Sequence, residues 1–118
     1  MNVTDSRTEL MTKLLDVASL RHKVLAQNVA NVNTPNYRRL EVSFEDTFSR
    51  LYPNDKKAAM HLQPKIVEAP GGTERLDGNN VDIEAEMGRL SNNALLYNVY
   101  SQIIASRVGA MRNAITSK

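Results

Sequence analysis

The chain has 118 residues, 42% of them hydrophobic, with 15 basic and 13 acidic residues for a net charge of +2, which allows one domain and gives too small a basic excess to imply nucleic-acid binding. With no cysteine and no tryptophan, disulfides, thiolate nucleophiles and Cys-ligated metals are excluded, and the scarcity of large rings points to elongated helices rather than a compact globule. The N-terminal stretch MNVTDSRTELMTKLLDVASL has charges every few residues and no apolar block of signal-peptide length, so export through a cleaved signal is not expected. No segment approaches the roughly 20 apolar residues that span a bilayer.

The first element is a helix over about residues 7–33. Leu10, Leu14, Val17, Arg21, Val24, Asn28 and Asn31 recur at alternating spacings of four and three, a heptad stripe. Arg21, Asn28 and Asn31 place polar groups in that stripe, either at its watered edge or buried as selectors of register. Thr34-Pro35 is expected to end the helix, because the residue before a proline is pushed out of the α region. Residues 34–81 are poor in pattern. YPNDKK, EAPGG and LDGNN are turn chemistry, and RLEVSFEDTF alternates weakly, enough for a short strand or an extended arm. A connection of that length is a small insertion or a segment that a partner orders.

The last element is a helix over about residues 82–116. Ile83, Met87, Leu90, Ala94, Tyr97, Ser101, Ile104, Val108, Met111 and Ile115 hold a heptad spacing for almost five repeats. Asp82 stands at the N-cap position, Glu84 and Glu86 lie in the first turn, and Arg107, Arg112 and Lys118 load the far end, complementing the helix dipole. Such a helix is about 50 Å long at 1.5 Å per residue. Leu96, Val99, Ile103 and Ala110 lie on the side opposite the stripe, and a helix apolar on two sides in so short a chain is shared between chains. The fold expected is mainly α: one subunit domain, 1–118, with two terminal helices paired like a coiled coil around a loop-rich middle. Leu10, Leu14, Val17 and Val24 are assigned to the seam of that pair, facing Ile83, Met87, Leu90, Tyr97, Ile104, Val108, Met111 and Ile115. Leu96, Val99, Ile103 and Ala110 are assigned to neighbouring subunits.

Site chemistry is sparse. His22 and His61 have no second ligand at metal spacing, so no metal and no cofactor is expected. The Asp82, Glu84 and Glu86 cluster is explained by dipole complementation. APGG and LDGNN lack the lysine and the strand-then-helix setting of a phosphate loop. NYRR offers Tyr37 for base stacking, with no second basic-aromatic element behind it. No nucleophile has a visible base, and no enzyme or small-molecule substrate is read here.

SLRHKVLAQNVANVNTPNYRR resembles the N-terminal motif of the bacterial flagellar axial proteins, the rod, hook and hook–filament junction group. Asn28, Ala30, Asn31, Asn33, Thr34, Pro35 and Tyr37 match that motif; Gln27 replaces an asparagine and Asn36 replaces a glycine. Asparagine tolerates the left-handed conformation that a glycine there suggests. LDGNNVDIEAEMGRLSNNALLYNVYSQIIASRVGAMRNAI is similar to the end of the short proximal rod members of the group. Together the two stretches cover residues 8–39 and 76–116. The resemblance implies a structural subunit of the proximal rod in the flagellar basal body, the axle from the inner-membrane motor ring to the distal rod and hook. It also implies type III export without a cleaved signal peptide. The partners implied are further copies, other rod proteins, and inner-membrane ring and export-gate components. Asn28, Ala30, Asn31, Asn33, Thr34, Pro35 and Tyr37 would then be an assembly motif, a joint in the tube wall. Two other classes fit the helices alone: a coiled-coil adaptor or export chaperone, which would form a small closed oligomer, and a nucleic-acid-binding helical protein, with salt-dependent affinity.

Overall fold

The computed structural model describes residues 6–69 and 72–117; Pro70 and Gly71 of the EAPGG turn, Lys118 of the basic end and the first five residues of the N-terminal stretch lie outside them. Six elements follow in order: α1 (Ser6–Ala30), β1 (Leu40–Ser43), α2 (Glu45–Leu51), α3 (Lys56–His61), β2 (Lys65–Glu68) and α4 (Ile83–Thr116). α4 begins as its sequence dictates. The Asp82 side chain accepts hydrogen bonds from the Glu84 and Ala85 backbone N–H groups, satisfying two of the donors that every helix start leaves bare.

α1 and α4 lie antiparallel. Arg107 Nε donates to Thr8 Oγ1 at 3.1 Å near one end, Asn93 Nδ2 donates to the Ala18 carbonyl at 2.7 Å, and Asn28 Nδ2 donates to Glu86 Oε2 at 3.1 Å near the other. The long helix pair makes the molecule 67 × 29 × 14 Å with a radius of gyration of 18.1 Å, against about 13 Å for a compact chain of this size. Its accessible surface is 8135 Å², where a compact protein of this mass exposes about 6,400 Å².

The middle segment is an ordered insertion. β1 and β2 pair antiparallel, Leu40 opposite Glu68 and Val42 opposite Ile66, with α2 and α3 inserted between them. Phe44, Phe48 and Tyr52 stack along α2 with ring centroids 5.2 and 5.3 Å apart, and Asp55 caps α3 by accepting from Ala58 N–H at 3.0 Å. Val17 and Val24 of α1 form the core with Val42 and Phe44, and Leu14, Leu20, Leu40, Phe48 and Leu62 pack around it.

That core corrects the expected seam. Leu14, Val17 and Val24, assigned to α4, lie instead in the cluster built on β1 and α2, while Leu10 is half-buried. On α4 the buried and half-buried positions include Glu86, Leu90, Asn93, Tyr100, Ile104, Arg107 and Met111. Ile83, Met87, Tyr97, Val108 and Ile115, expected inside the pair, are exposed. The true contact line keeps the heptad but is turned by about 50° around the helix, replacing the track 87-94-101-108 by 86-93-100-107 at 100° per residue. Counting apolar residues alone misses it, because three members of the real track are polar and each has a designated partner on α1.

Candidate assembly site

α1 stops at Ala30, five residues before Pro35, in a tightened turn: Asn31 N–H donates to the Gln27 and Asn28 carbonyls at 3.1 and 3.2 Å and Val32 N–H to the Val29 carbonyl at 3.2 Å, and side chains satisfy the carbonyls that follow. Asn31 Nδ2 donates to the Gln27 carbonyl at 2.8 Å, and Thr34 Oγ1 donates to Asn31 Oδ1 at 3.0 Å. From across the molecule, the fully buried Asn79 sends its Nδ2 to the carbonyls of Asn31, Val32 and Thr34 at 2.9, 3.1 and 2.8 Å. Its Oδ1 accepts from Val81 N–H at 2.7 Å. Arg75 adds hydrogen bonds to the Val32 and Val81 carbonyls. One helix end is thus capped by the loop that leads into the other helix.

The chain then turns back through Asn36, a left-handed residue at φ 63°. Its N–H donates to the Asp77 carbonyl at 2.8 Å. Gly78, at φ 82°, lies so close that a Cβ there would sit 2.4 Å from Asn36 Oδ1. Asn36 therefore takes a glycine-like conformation, and the glycine requirement falls on its neighbour in space.

Asn28 is the hub. Wholly buried, it uses its full hydrogen-bonding capacity. Nδ2 donates to the Leu40 carbonyl at 2.7 Å and to Glu86 Oε2 at 3.1 Å, while Oδ1 accepts from Tyr37 OH and from Leu40 N–H, both at 2.9 Å. The outer edge of β1 is sealed in this way by a side chain of α1, and Arg21 continues the seal by donating to the Val42 carbonyl at 3.2 Å. Glu86 is equally buried. Its carboxylate accepts from Arg39 Nε at 2.5 Å and Arg89 Nη1 at 2.7 Å besides Asn28, so a charge that would be costly alone is paired and hydrogen-bonded. Arg39 is held in turn by its own N–H donating to Asn80 Oδ1 at 2.7 Å. Burial, the largest influence, raises the Tyr37 phenol above its ordinary pKa; a Gln27 side-chain contact works against the rise and the Glu86 charge adds to it.

The two stretches far apart in sequence therefore make one polar knot. Asn28, Asn31 and Tyr37 are inside it, the exposed Thr34 is hydrogen-bonded to it, Asn33 and Pro35 are exposed on its outer side, and Ala30 is exposed at the helix end. Arg39, Asn79, Asn80 and Arg75 belong to it and were not singled out from sequence, and Glu86, which also belongs to it, was read only as complementing the helix dipole. The signal available for Glu86 was its place seven residues before Asn93 on a polar heptad track, whereas a helix-dipole role explained it too easily. Among the described residues no three His, Asp or Glu side chains gather to hold a metal, and no helix is long and apolar enough to cross a membrane.

No family model matches the chain. It is 33% identical over 124 residues to the flagellar basal body rod protein FlgB of Borrelia hermsii, covering 89% of this chain and 92% of that protein. The chain belongs to the FlgB family of flagellar basal body rod proteins. FlgB of Borreliella burgdorferi is 29% identical over the same shares of both chains. FlgB of Bacillus subtilis is 25% identical over 98% of each. In this FlgB chain the knot fixes the bend between α1 and the middle segment and the place where α4 begins.

Proposed function

We propose that the chain is a structural subunit of the proximal rod of the bacterial flagellar basal body. In this reading it polymerises helically into the axle that carries torque from the inner-membrane motor ring to the distal rod and hook. The observation that carries the reading is the uncovered apolar surface on a rigid helix pair. Leu96, Val99 and Ile103 on one side of α4, and Ile83, Met87 and Val108 on another, are all more than a third exposed. The elongated shape exposes about 1,700 Å² more than a compact chain of this mass, room for contacts that take about 800 Å² from each partner. Residues 1–118 act as a single unit, with Leu96, Val99, Ile103 and Ala110 meeting neighbours, and the exposed Asn33 and Pro35 make the outer surface of the joint. The partners are further copies and other rod proteins, with inner-membrane ring and export-gate components at the base. The subunit reaches the periplasm by type III export, and it performs no catalysis.

The test is fractionation. A tagged copy should cofractionate with purified hook–basal bodies and remain through detergent extraction. A protein found only as a small closed oligomer in the cytoplasm would overturn the reading in favour of an adaptor.

A further inference from the structure

Leu76 is fully exposed, yet it does not sit on a loose loop. The turn that carries it is pinned on both sides: Arg75 N–H donates to the Asn79 carbonyl at 2.9 Å, Gly78 N–H to the Arg75 carbonyl at 2.9 Å, and Asn79 N–H to Asp77 Oδ1 at 3.0 Å. The knot behind it holds the turn against α1. An aliphatic side chain held rigidly in water has no role in folding this subunit. It is flanked by a cation and an anion, Arg75 and Asp77, whose side chains are 42% and 37% exposed and 3.8 Å apart.

Elsewhere on the molecule α1, β1 and α4 enclose a groove of about 230 Å³ with apolar walls that include Leu25, Val42 and Leu96. One water occupies about 30 Å³, so the groove admits a four-carbon side chain. Its rim carries Glu41 and Arg89, 42% and 46% exposed. The knob reads basic, apolar, acidic, and the groove reads acidic, apolar, basic.

We infer that Leu76 of one subunit docks into the Leu25–Val42–Leu96 groove of a second copy, with the Asp77 carboxylate towards Arg89, while Arg75 stays bonded to the Val32 and Val81 carbonyls and holds the turn. This contact rests on the rod reading and names one of its interfaces. Knob and groove are different surfaces, so the contact is heterologous: each docking leaves a knob and a groove free, and further copies add in one direction, as an open helix wherever the rotation does not close a ring. Presentation on a hydrogen-bonded turn keeps the ordering cost of docking small.

The experiment uses the absence of cysteine from the chain. Two differently tagged copies, one Leu76→Cys and one Leu96→Cys, are expressed together, and isolated hook–basal bodies are oxidised. A disulfide-linked heterodimer is expected, well above the yield from Leu76→Cys with an exposed Gln63→Cys control. Equal yields from both pairs overturn the inference. Leu76→Ser should leave the melting temperature unchanged and weaken incorporation about ten- to a hundredfold, the factor for burying one leucine. If Leu76→Ser incorporates normally while Ile103→Asp is excluded, the knob contact is wrong and the rod reading stands. If the unmodified chain is absent from hook–basal bodies, the rod reading itself falls.

Discussion

Replacing Asn28 by alanine tests the knot at its centre. The substitution removes four hydrogen bonds at once. Glu86 keeps Arg39 and Arg89, and the partly buried Tyr37 can turn its hydroxyl towards water, so those two losses are small. The Leu40 N–H and C=O are left facing the cavity, and each orphaned backbone group costs about 1–3 kcal/mol. Together the loss is about 3–4 kcal/mol, a large part of the roughly 5–15 kcal/mol that holds a domain folded. With an unfolding entropy of about 2.1 cal/mol/K per residue, 118 residues shift by about 4 °C per kcal/mol. Thermal melts followed by circular dichroism should therefore show Asn28→Ala melting roughly 12–16 °C below the unmodified protein. Asn33→Ala, on the exposed side of the same motif, should melt within about 2 °C of it. Asn28→Asp retains the shape and the acceptor but sets a carboxylate against Glu86 and the Leu40 carbonyl, and should be at least as damaging as alanine. A loss of less than about 4 °C for Asn28→Ala would show that the buried amide is not what joins the two helices.

Three further outcomes are expected. Gly78→Ala should cost about 2 kcal/mol or more, from its left-handed backbone and the contact with Asn36, and adding Asn36→Gly should restore the part due to that contact in the same melts. Because the folded-state pKa of Tyr37 is raised, its contribution to stability is complete below its unfolded pKa near 10 and is lost as pH rises through the folded value. The difference in melting temperature between the unmodified protein and Tyr37→Phe should thus be flat through neutral pH and shrink in strong alkali. Ile104→Asp, at a half-buried position, should lower the melting temperature by about 8 °C or more, a burial cost of at least about 2 kcal/mol; Ile103→Asp should melt within about 2 °C of the unmodified protein and still be absent from hook–basal bodies. Equal destabilisation by both would place both faces inside the subunit.

The sequence by itself determined the two long helices, the Asp82 cap, the turn at Asn36 and the apolar excess of α4, because each is a local or periodic property. Capping depends on one side chain and the next three residues, and a heptad is visible wherever it is written. What only the tertiary structure decided is where those helices look. Val17 and Val24 are equally good against α4 or against β1, and the inserted hairpin with Phe44 claims them. Glu86, Asn93 and Arg107 read as surface polar residues until Asn28, the Ala18 carbonyl and Thr8 appear as their partners, since the cost of burying a polar group is set by what waits for it and not by the residue itself. The asparagines of the NVNTPNY turn advertised a site, but half of that site arrives from Asn79, Asn80 and Arg75, more than forty residues along the chain. A hydrogen bond across that distance has no period and no spacing to read, and it exists only once the fold has brought both ends together.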